Sequence, residues 1–152
     1  MSRRDQIRMS PSEVDEFLAG RHTMNVASFN HDGTIHLVAM WYAVLDGDPV
    51  FWTFAKSQKI LNLQRDPRTT LLVEAGEEYG ELIGVEIVGT ATVITDRDHI
   101  MQIGEAVYAR YFGEVTDEVR PFVELTGAKR FGVRVKADRV VSWDHKKLDG
   151  GY

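Results

Sequence analysis

The chain has 152 residues, of which 43% are hydrophobic, and its 18 basic and 23 acidic side chains give a formal net charge of -5. This length suits one domain that buries roughly two-thirds of its unfolded surface, so we predict a single domain over residues 1–152. The absence of cysteine excludes disulfides, thiol catalysis and zinc-thiolate sites, and the acidic balance disfavours general nucleic-acid binding.

The amino-terminal segment is basic, but it lacks the apolar core of a signal peptide. No apolar run approaches the roughly 18 residues that are needed to cross a bilayer. We therefore expect a cytoplasmic protein with neither a membrane nor a nucleic-acid partner.

The first elements in chain order are a helix and three strands. The pattern Ser10-Pro-Ser-Glu13 is a capping box, and it predicts a helix that ends at Gly20. The residues then alternate as in strands, with turns at His31–Gly33 and Asp46–Pro49. The predicted strands span roughly residues 22–30, 34–45 and 50–55.

The second half mixes helices and strands. A short helix at about 57–65 should be capped by Ser57 and stopped at Asp66-Pro67. Strands are predicted at Thr69–Ala75 and Leu82–Thr95. A second capping pattern, Thr95–Asp98, predicts a helix up to Gly113. The remaining predicted elements are a helix at about 117–125 and strands at Phe131–Ala137 and Arg139–Trp143.

Six or seven strands at hairpin spacing, with helices at early, middle and late positions, indicate a mainly β fold. We predict an antiparallel barrel or strongly curved sheet with helices packed outside it. The chain has no Gly-x-Gly-x-x-Gly after a strand and no Walker loop. Any phosphate must therefore be held by another feature.

A basic turn follows the aromatic strand that ends at Phe54. Lys56 and Lys59 flank Ser57 at the start of the predicted helix, where free backbone N–H groups attract anions. Lysines at a helix N-terminus oppose the helix dipole, and a bound phosphate would remove that conflict. The alternative is a solvated turn that happens to be basic.

Other catalytic patterns are weak. The five histidines are scattered without metal-ligand spacing, and no serine lies in a nucleophile elbow. An aromatic group lies on the two strands that lead into the basic turn, and it suits either a barrel core or a flat slot for a planar cofactor. Its members are Trp41, Tyr42, Phe51, Trp52 and Phe54. These features favour a protein whose chemistry comes from a cofactor.

The segment Phe51–Arg68 contains Lys-x-x-Asn-Leu-x-x-Asp-Pro-Arg and resembles the FMN-binding split β-barrel proteins of the pyridoxamine 5'-phosphate oxidase-like superfamily. The long fifth strand with Gly84 and Gly89, and the late segment Ser142–Leu148, resemble its deazaflavin-dependent branch. That branch comprises the B-type flavin/deazaflavin oxidoreductases.

The resemblance implies an oxidoreductase that uses coenzyme F420 to pass a hydride to an activated double bond of a small organic substrate. Residues 36–44 lack the additional arginine or lysine of pyridoxamine phosphate oxidases proper, and the carboxyl-terminal arginine and histidine pattern is also missing, which disfavours vitamin B6 oxidation. An FMN-binding protein of the same fold remains an alternative. A non-catalytic binder or carrier of F420 or heme is another.

The resemblance also implies a set of cofactor-binding positions. Lys56, Ser57 and Lys59 would hold the phosphate, and the backbone of Thr53–Ala55 would run along the ring system. Two sites would lie at the interface of a homodimer, and residues of the second chain, for which Tyr79 is a candidate, would close each site. The complete predicted set is Thr53, Phe54, Ala55, Lys56, Ser57, Lys59, Asn62, Val38, Met40, Trp41 and Tyr79. Cations for the glutamate tail of F420 could be Arg21, Lys129, Arg130, Lys146 and Lys147.

Overall fold

The computed structural model describes residues 2–148. Within that range the α-helices are α1 (Arg3–Gln6), α2 (Pro11–Ala19), α3 (Gln58–Arg65), α4 (Arg97–Phe112) and α5 (Arg120–Gly127), with 3-10 turns at Tyr79–Glu81 and His145–Lys147. None of these described helices is long and apolar enough to cross a membrane.

The strands form one antiparallel sheet. They are β1 (Met24–Phe29), β2 (Ile35–Met40), β3 (Ala43–Leu45), β4 (Asp48–Phe54), β5 (Arg68–Ala75), β6 (Ile83–Ile94) and β7 (Arg130–Asp144). Their order across the sheet is β2-β1-β5-β6-β7-β4-β3. The mainly β fold predicted from the sequence is therefore confirmed.

The sheet is curled because of the way its two edges are connected. Strands β2 and β3 lie at opposite edges, yet only Trp41 and Tyr42 separate them in the chain. Three Cα–Cα steps of about 3.8 Å join Met40 to Ala43 and span at most about 11 Å, so the two edges must come close and the sheet must curl on itself. The result is a split barrel with helices outside.

The predicted strand 34–45 is wrong in one respect, because the structure breaks it at Trp41 and Tyr42. The backbone N–H of Tyr42 donates to the hydroxyl of Tyr111 over 3.3 Å instead of to a neighbouring strand. The indole of Trp41 stacks on the Tyr111 ring, with centroids 4.4 Å apart. The break between β2 and β3 is therefore caused by a tertiary contact with Tyr111, which the local sequence does not reveal.

The two predicted carboxyl-terminal strands are a single strand, β7. Its register against β6 shifts by one residue between Val88 and Gly89, which pair with Arg139 and Ala137. Asp138 is the extra residue of this bulge, and its carboxylate accepts a hydrogen bond from the Thr90 hydroxyl over 2.9 Å. A bulge bends a strand without ending it, so the polar break in the sequence pattern is not a strand end.

Helix ends also differ from the expected pattern in places. The capping box at Ser10 and Glu13 is present as predicted. Helix α4 is capped by Asp96 rather than Thr95, because the Asp96 carboxylate accepts from the His99 N–H. Helix α1 was not predicted; a capping box between Ser2 and Asp5 begins it.

Two hydrophobic clusters build the interior. One fills the barrel and includes Val26, Phe51, Leu71 and Val85, and the other packs α4 against β3 and β4. Because side chains alternate along a strand, neighbouring residues of β4 belong to different clusters. Trp52 consequently faces α4 and α5, while Thr53 faces the opposite side.

Candidate functional site

The basic turn is built by backbone hydrogen bonds between β4, α3 and β7. The N–H of Ser57 donates to the carbonyl of Phe54 over 2.9 Å, and the N–H of Leu61 begins the helix by donating to Ser57. The Ala55 N–H donates to the carbonyl of Lys129 over 2.9 Å, which ties the turn to the start of β7. The turn is therefore a fixed part of the scaffold.

The prediction that Ser57 caps α3 through its side chain is wrong. Ser57 occupies the N-cap position, but its hydroxyl makes no capping bond. Its Oγ is buried and has no hydrogen-bond partner among the described residues. A buried hydroxyl without a partner costs free energy, and an anion at this helix end would accept its hydrogen bond.

Lys59 lies beside Thr53 and close to Arg130. Its Nζ donates to the Thr53 hydroxyl over 3.1 Å. Burial lowers the pKa of Lys59, and the positive charge of Arg130 lowers it further. Burial also lowers the pKa of Arg130. Two partly buried cations with no carboxylate acting on either pKa form a site that favours an anion.

Arg130 lies between two aromatic rings. Its guanidinium carbon is 5.3 Å from the centroid of Trp52 and 4.7 Å from that of Phe54. Its Nε donates to the carbonyl of Thr126, while its terminal nitrogens bond no residue in the described part of the chain. These free N–H groups can bind a planar anion or a phosphate.

Sequence reasoning named Arg130 only as one of five cations for a cofactor tail. Its importance comes from strand pairing, because Arg130 is the register partner of Phe54, the last residue of β4. That pairing could not be read from the sequence without knowing that β4 and β7 are neighbours.

An apolar cavity of about 430 Å³ opens next to Arg130. It lies between the end of β2, strand β4 and helices α4 and α5. Trp52 lines it from β4 and Trp41 from the connection between β2 and β3, while Tyr108, Phe112 and Phe122 line it from the helices. The basic turn and the aromatic cavity thus share one side chain, Arg130.

The predicted aromatic slot is only partly present. Tyr42 and Phe51 are fully buried and belong to the barrel core. The Tyr42 hydroxyl donates to the carbonyl of Leu18, and burial raises the pKa of Tyr42 to about 12. Trp41 and Phe54 are 44% and 58% exposed, so they remain available to a ligand.

Asn62 has a different position from the one expected of a cofactor contact. It is fully buried, and its amide nitrogen donates to Ser28 and Asn30. Its amide oxygen accepts from Gln58 and Arg65. All these partners lie in the protein, so Asn62 fixes α3 against β1 and positions the basic turn.

The other predicted site residues are dispersed. Met40 and Trp41 line the cavity, whereas Val38 packs against the barrel core. Lys56 is exposed in the turn. Tyr79 lies at the far end of β7, where its ring contacts His145 at a centroid distance of 4.5 Å. One chain therefore does not bring Tyr79 to the basic turn.

The cations predicted for the glutamate tail of F420 also lie in different parts of the structure. Lys129 is exposed next to the turn, through its carbonyl bond to Ala55. At the other end of β7, the Lys147 Nζ forms an ion pair with the Glu13 carboxylate over 2.6 Å. Lys146 is the neighbouring residue in the same 3-10 turn. Arg21 lies over the Tyr111 ring at 5.8 Å. Lys129 and Arg130 are thus the candidates that adjoin the turn.

Comparison with solved structures supports this architecture. A conserved hypothetical protein from Mycobacterium tuberculosis, Rv2991, is 42% identical, covers 100% of this chain and 96% of its own, and has a TM-score of 0.93. An F420 reductase is 21% identical with a TM-score of 0.64, over 83% of this chain and 94% of its own. The heme storage protein HutZ from Vibrio cholerae is 14% identical with a TM-score of 0.67, over 87% and 94%.

No curated protein matches the sequence. The family profile described as pyridoxamine 5'-phosphate oxidase matches residues 10–144. That match includes every strand of the sheet and the whole basic turn. This chain therefore belongs to the pyridoxamine 5'-phosphate oxidase family, as its sequence motifs predicted.

Proposed function

We propose that this protein is a homodimeric oxidoreductase that binds coenzyme F420 and passes a hydride to an activated double bond of a small organic molecule. The family contains oxidoreductases, and one structural relative is an F420 reductase. Within a family that also includes binders of other cofactors, the argument for this chain depends on its own residues.

One observation carries the proposal: Lys59 and Arg130 are partly buried cations whose positive charges interact, and no carboxylate acts on the pKa of either. Each cation lowers the free energy of a phosphate bound near it, and the unpartnered Ser57 hydroxyl adds a donor at the same end of α3. Like charges held together in a folded protein are unfavourable unless an anion binds. A phosphorylated cofactor supplies that anion.

The chain would position the cofactor rather than act on it. Lys59, Arg130 and Ser57 would bind the phosphate, and the backbone of residues 53–55 would support the ring system beside Phe54. A bound deazaflavin supplies a hydride and avoids one-electron chemistry, while the protein orients the donor and excludes water. Tyr42 and Asn62, which are polar residues near this region, are committed to the protein interior.

We propose that a second copy packs against the outer face of β2. Ile35 and Leu37 are 65% and 67% exposed on this edge strand, and an apolar strand face of this kind is typical of an interface. In such a dimer, Tyr79 of the second chain is the candidate to complete the basic turn, because one chain does not bring Tyr79 there. This arrangement gives two sites per dimer.

FMN is the second candidate, because its phosphate would be held by the same cations. The vitamin substrate of the family's named activity is not favoured, since residues 36–44 contain no arginine or lysine. A heme or F420 carrier is a third candidate. The described residues that line the cavity include no histidine to bind heme iron.

Titration of the purified protein with F420 and with FMN separates these candidates. We expect F420 to bind at least about tenfold more tightly, which corresponds to about 1.4 kcal/mol. Bound reduced F420 is then mixed with enones, quinones and tetrapyrroles, and its oxidation is followed in a single turnover. Tighter binding of FMN would favour the flavin alternative, and binding of F420 without oxidation by any acceptor would favour a carrier.

A further inference from the structure

We infer that the aromatic cavity between α4 and α5 is a binding site for a flat, apolar molecule that carries an acceptor oxygen, as a conjugated carbonyl or an aryl carboxylate. The inference goes beyond the proposed function, because it concerns a second ligand. It rests on that function only where it identifies this ligand as the hydride acceptor.

The lining of the cavity favours a planar ligand. The aromatic rings that line it are those of Trp41, Trp52, Tyr108, Phe112 and Phe122. Aromatic faces bind flat ring systems by stacking and edge contacts. The volume of about 430 Å³ lies at the lower end of the range for small-molecule sites, so a molecule of two or three fused rings fits best.

Arg130 is the polar group of the cavity that can only donate, and the Tyr108 hydroxyl can donate or accept. The Tyr108 hydroxyl makes no hydrogen bond to any residue between 2 and 148. The terminal nitrogens of Arg130 are also unbonded within that range. The Thr126 hydroxyl already donates to the carbonyl of Phe122. No acidic side chain is among the lining residues that the structure describes.

The Arg130 guanidinium selects the ligand, because it can only donate hydrogen bonds. A ligand group with only donor hydrogens would leave Arg130 unpaired, which lowers affinity. A carbonyl or carboxylate oxygen would satisfy both side chains while the ring system fills the apolar space. A carboxylate would gain more from the Arg130 guanidinium, and a neutral carbonyl would suit a site in which a cofactor phosphate already neutralises that charge.

The test uses protein without cofactor and three naphthalenes that differ in one substituent: 2-naphthoate, 2-acetonaphthone and 2-ethylnaphthalene. Binding is followed by calorimetry and by the change in fluorescence of Trp41 and Trp52, which line the cavity. We expect both oxygen-bearing compounds to bind at least about fivefold more tightly than 2-ethylnaphthalene. Tighter binding of naphthoate would indicate a carboxylate ligand, and tighter binding of acetonaphthone a neutral carbonyl.

Two variants on α5 form a matched pair. Thr126→Phe places a ring in the cavity and should weaken binding about tenfold or more, whereas Leu125→Phe adds a ring at an adjacent position that is 76% exposed and does not line the cavity, and should change little. Tyr108→Phe keeps the ring and removes the hydroxyl, so acetonaphthone should bind about three- to tenfold more weakly. Circular dichroism of each variant verifies the fold.

Equal binding of all three compounds, unchanged binding in Thr126→Phe, or unchanged acetonaphthone binding in Tyr108→Phe would overturn the inference. Loss of binding in Leu125→Phe would also overturn it, because the ligand would then lie outside the cavity. If F420 fails to bind while the naphthalenes behave as expected, the proposed function is wrong and this site stands. If F420 binds and the naphthalenes do not, this inference is wrong and the proposed function stands.

Discussion

Lys59 donates a hydrogen bond from its Nζ to the hydroxyl of Thr53 over 3.1 Å, and this bond joins the first turn of α3 to the end of β4. The acceptor is neutral, so the lysine charge stays uncompensated. Since Arg130 adds a second positive charge nearby, the native fold holds two cations in place for a ligand. Such preorganisation reduces the cost of binding, because the side chains are already ordered.

Lys59→Gln should weaken the binding of inorganic phosphate and of F420 by about 1 to 3 kcal/mol, the scale of a charge-assisted hydrogen bond. The stability of the unliganded protein should not fall, because the substitution removes repulsion between Lys59 and Arg130. Isothermal titration and urea denaturation measure the two effects.

Lys56→Gln is the matched control for this variant. Lys56 lies in the same turn but is exposed, so its loss should weaken binding less than that of Lys59. If both variants bind phosphate and F420 at low salt as tightly as the native protein, the turn does not bind the anion.

Anion binding should weaken as the pH rises through the pKa of Lys59 in the unliganded protein. Burial and Arg130 lower this pKa, so the loss begins at a lower pH than for an ordinary lysine. The sign follows from linkage: the anion prefers protonated Lys59, and its stabilisation of the fold shrinks when that proton is lost. The measurement is the increase in melting temperature with phosphate at a series of pH values. The prediction is contradicted if the phosphate-induced increase in melting temperature of the native protein stays constant across the alkaline range. It is also contradicted if this increase falls with pH in the same way in Lys59→Gln.

Much of the fold could be predicted because local signals agreed with the tertiary structure. The capping box at Ser10 and Glu13 and the alternation of Ile83–Ile94 are of this kind. The errors occurred where tertiary contacts decide. Tyr111 breaks the predicted strand at Trp41 and Tyr42, and a bulge at Asp138 joins two predicted strands into one.

In the candidate site, too, local features could be predicted and tertiary contacts could not. The basic turn could be recognised because Lys56, Ser57 and Lys59 are consecutive in a short segment. The role of Arg130 depends on the pairing of β4 with β7, which joins residues far apart in the chain. The sequence pattern also could not show that Asn62 is fully buried, because its four partners lie on β1, α3 and the turn after β1.

Asn62→Ala should destabilise the protein by about 1 to 3 kcal/mol, because it leaves Ser28 and other buried polar groups without their partner. Urea denaturation measures the change in the free energy of unfolding. Leu61→Ala on the same helix is the control, since Leu61 is 50% exposed and should cost less. An Asn62→Ala protein as stable as the native one would show that the buried amide does not hold α3.

The native protein should have twice the mass of one 17.2 kDa chain by light scattering at micromolar concentration. Leu37→Glu should produce monomers, because it places a charge on the exposed apolar face of β2. The control is Leu125→Glu, which adds the same charge to α5 at a residue that is 76% exposed and does not belong to β2. A native monomer, or a Leu37→Glu dimer, would exclude β2 as the interface.

Gly104→Ala should destabilise the fold by about 1 to 3 kcal/mol, although alanine is the better helix former. The reason is packing: a Cβ at residue 104 would lie 2.3 Å from Cζ3 of Trp52. Gly80→Ala is the control, because a Cβ there meets nothing within 4 Å. In a Trp52→Leu background, which removes the opposing ring, the cost of Gly104→Ala should fall, and a double-mutant cycle of unfolding free energies measures this coupling. An identical cost in both backgrounds would show that Gly104 is required for a reason other than the position of Trp52, and the cavity wall would then not depend on this contact.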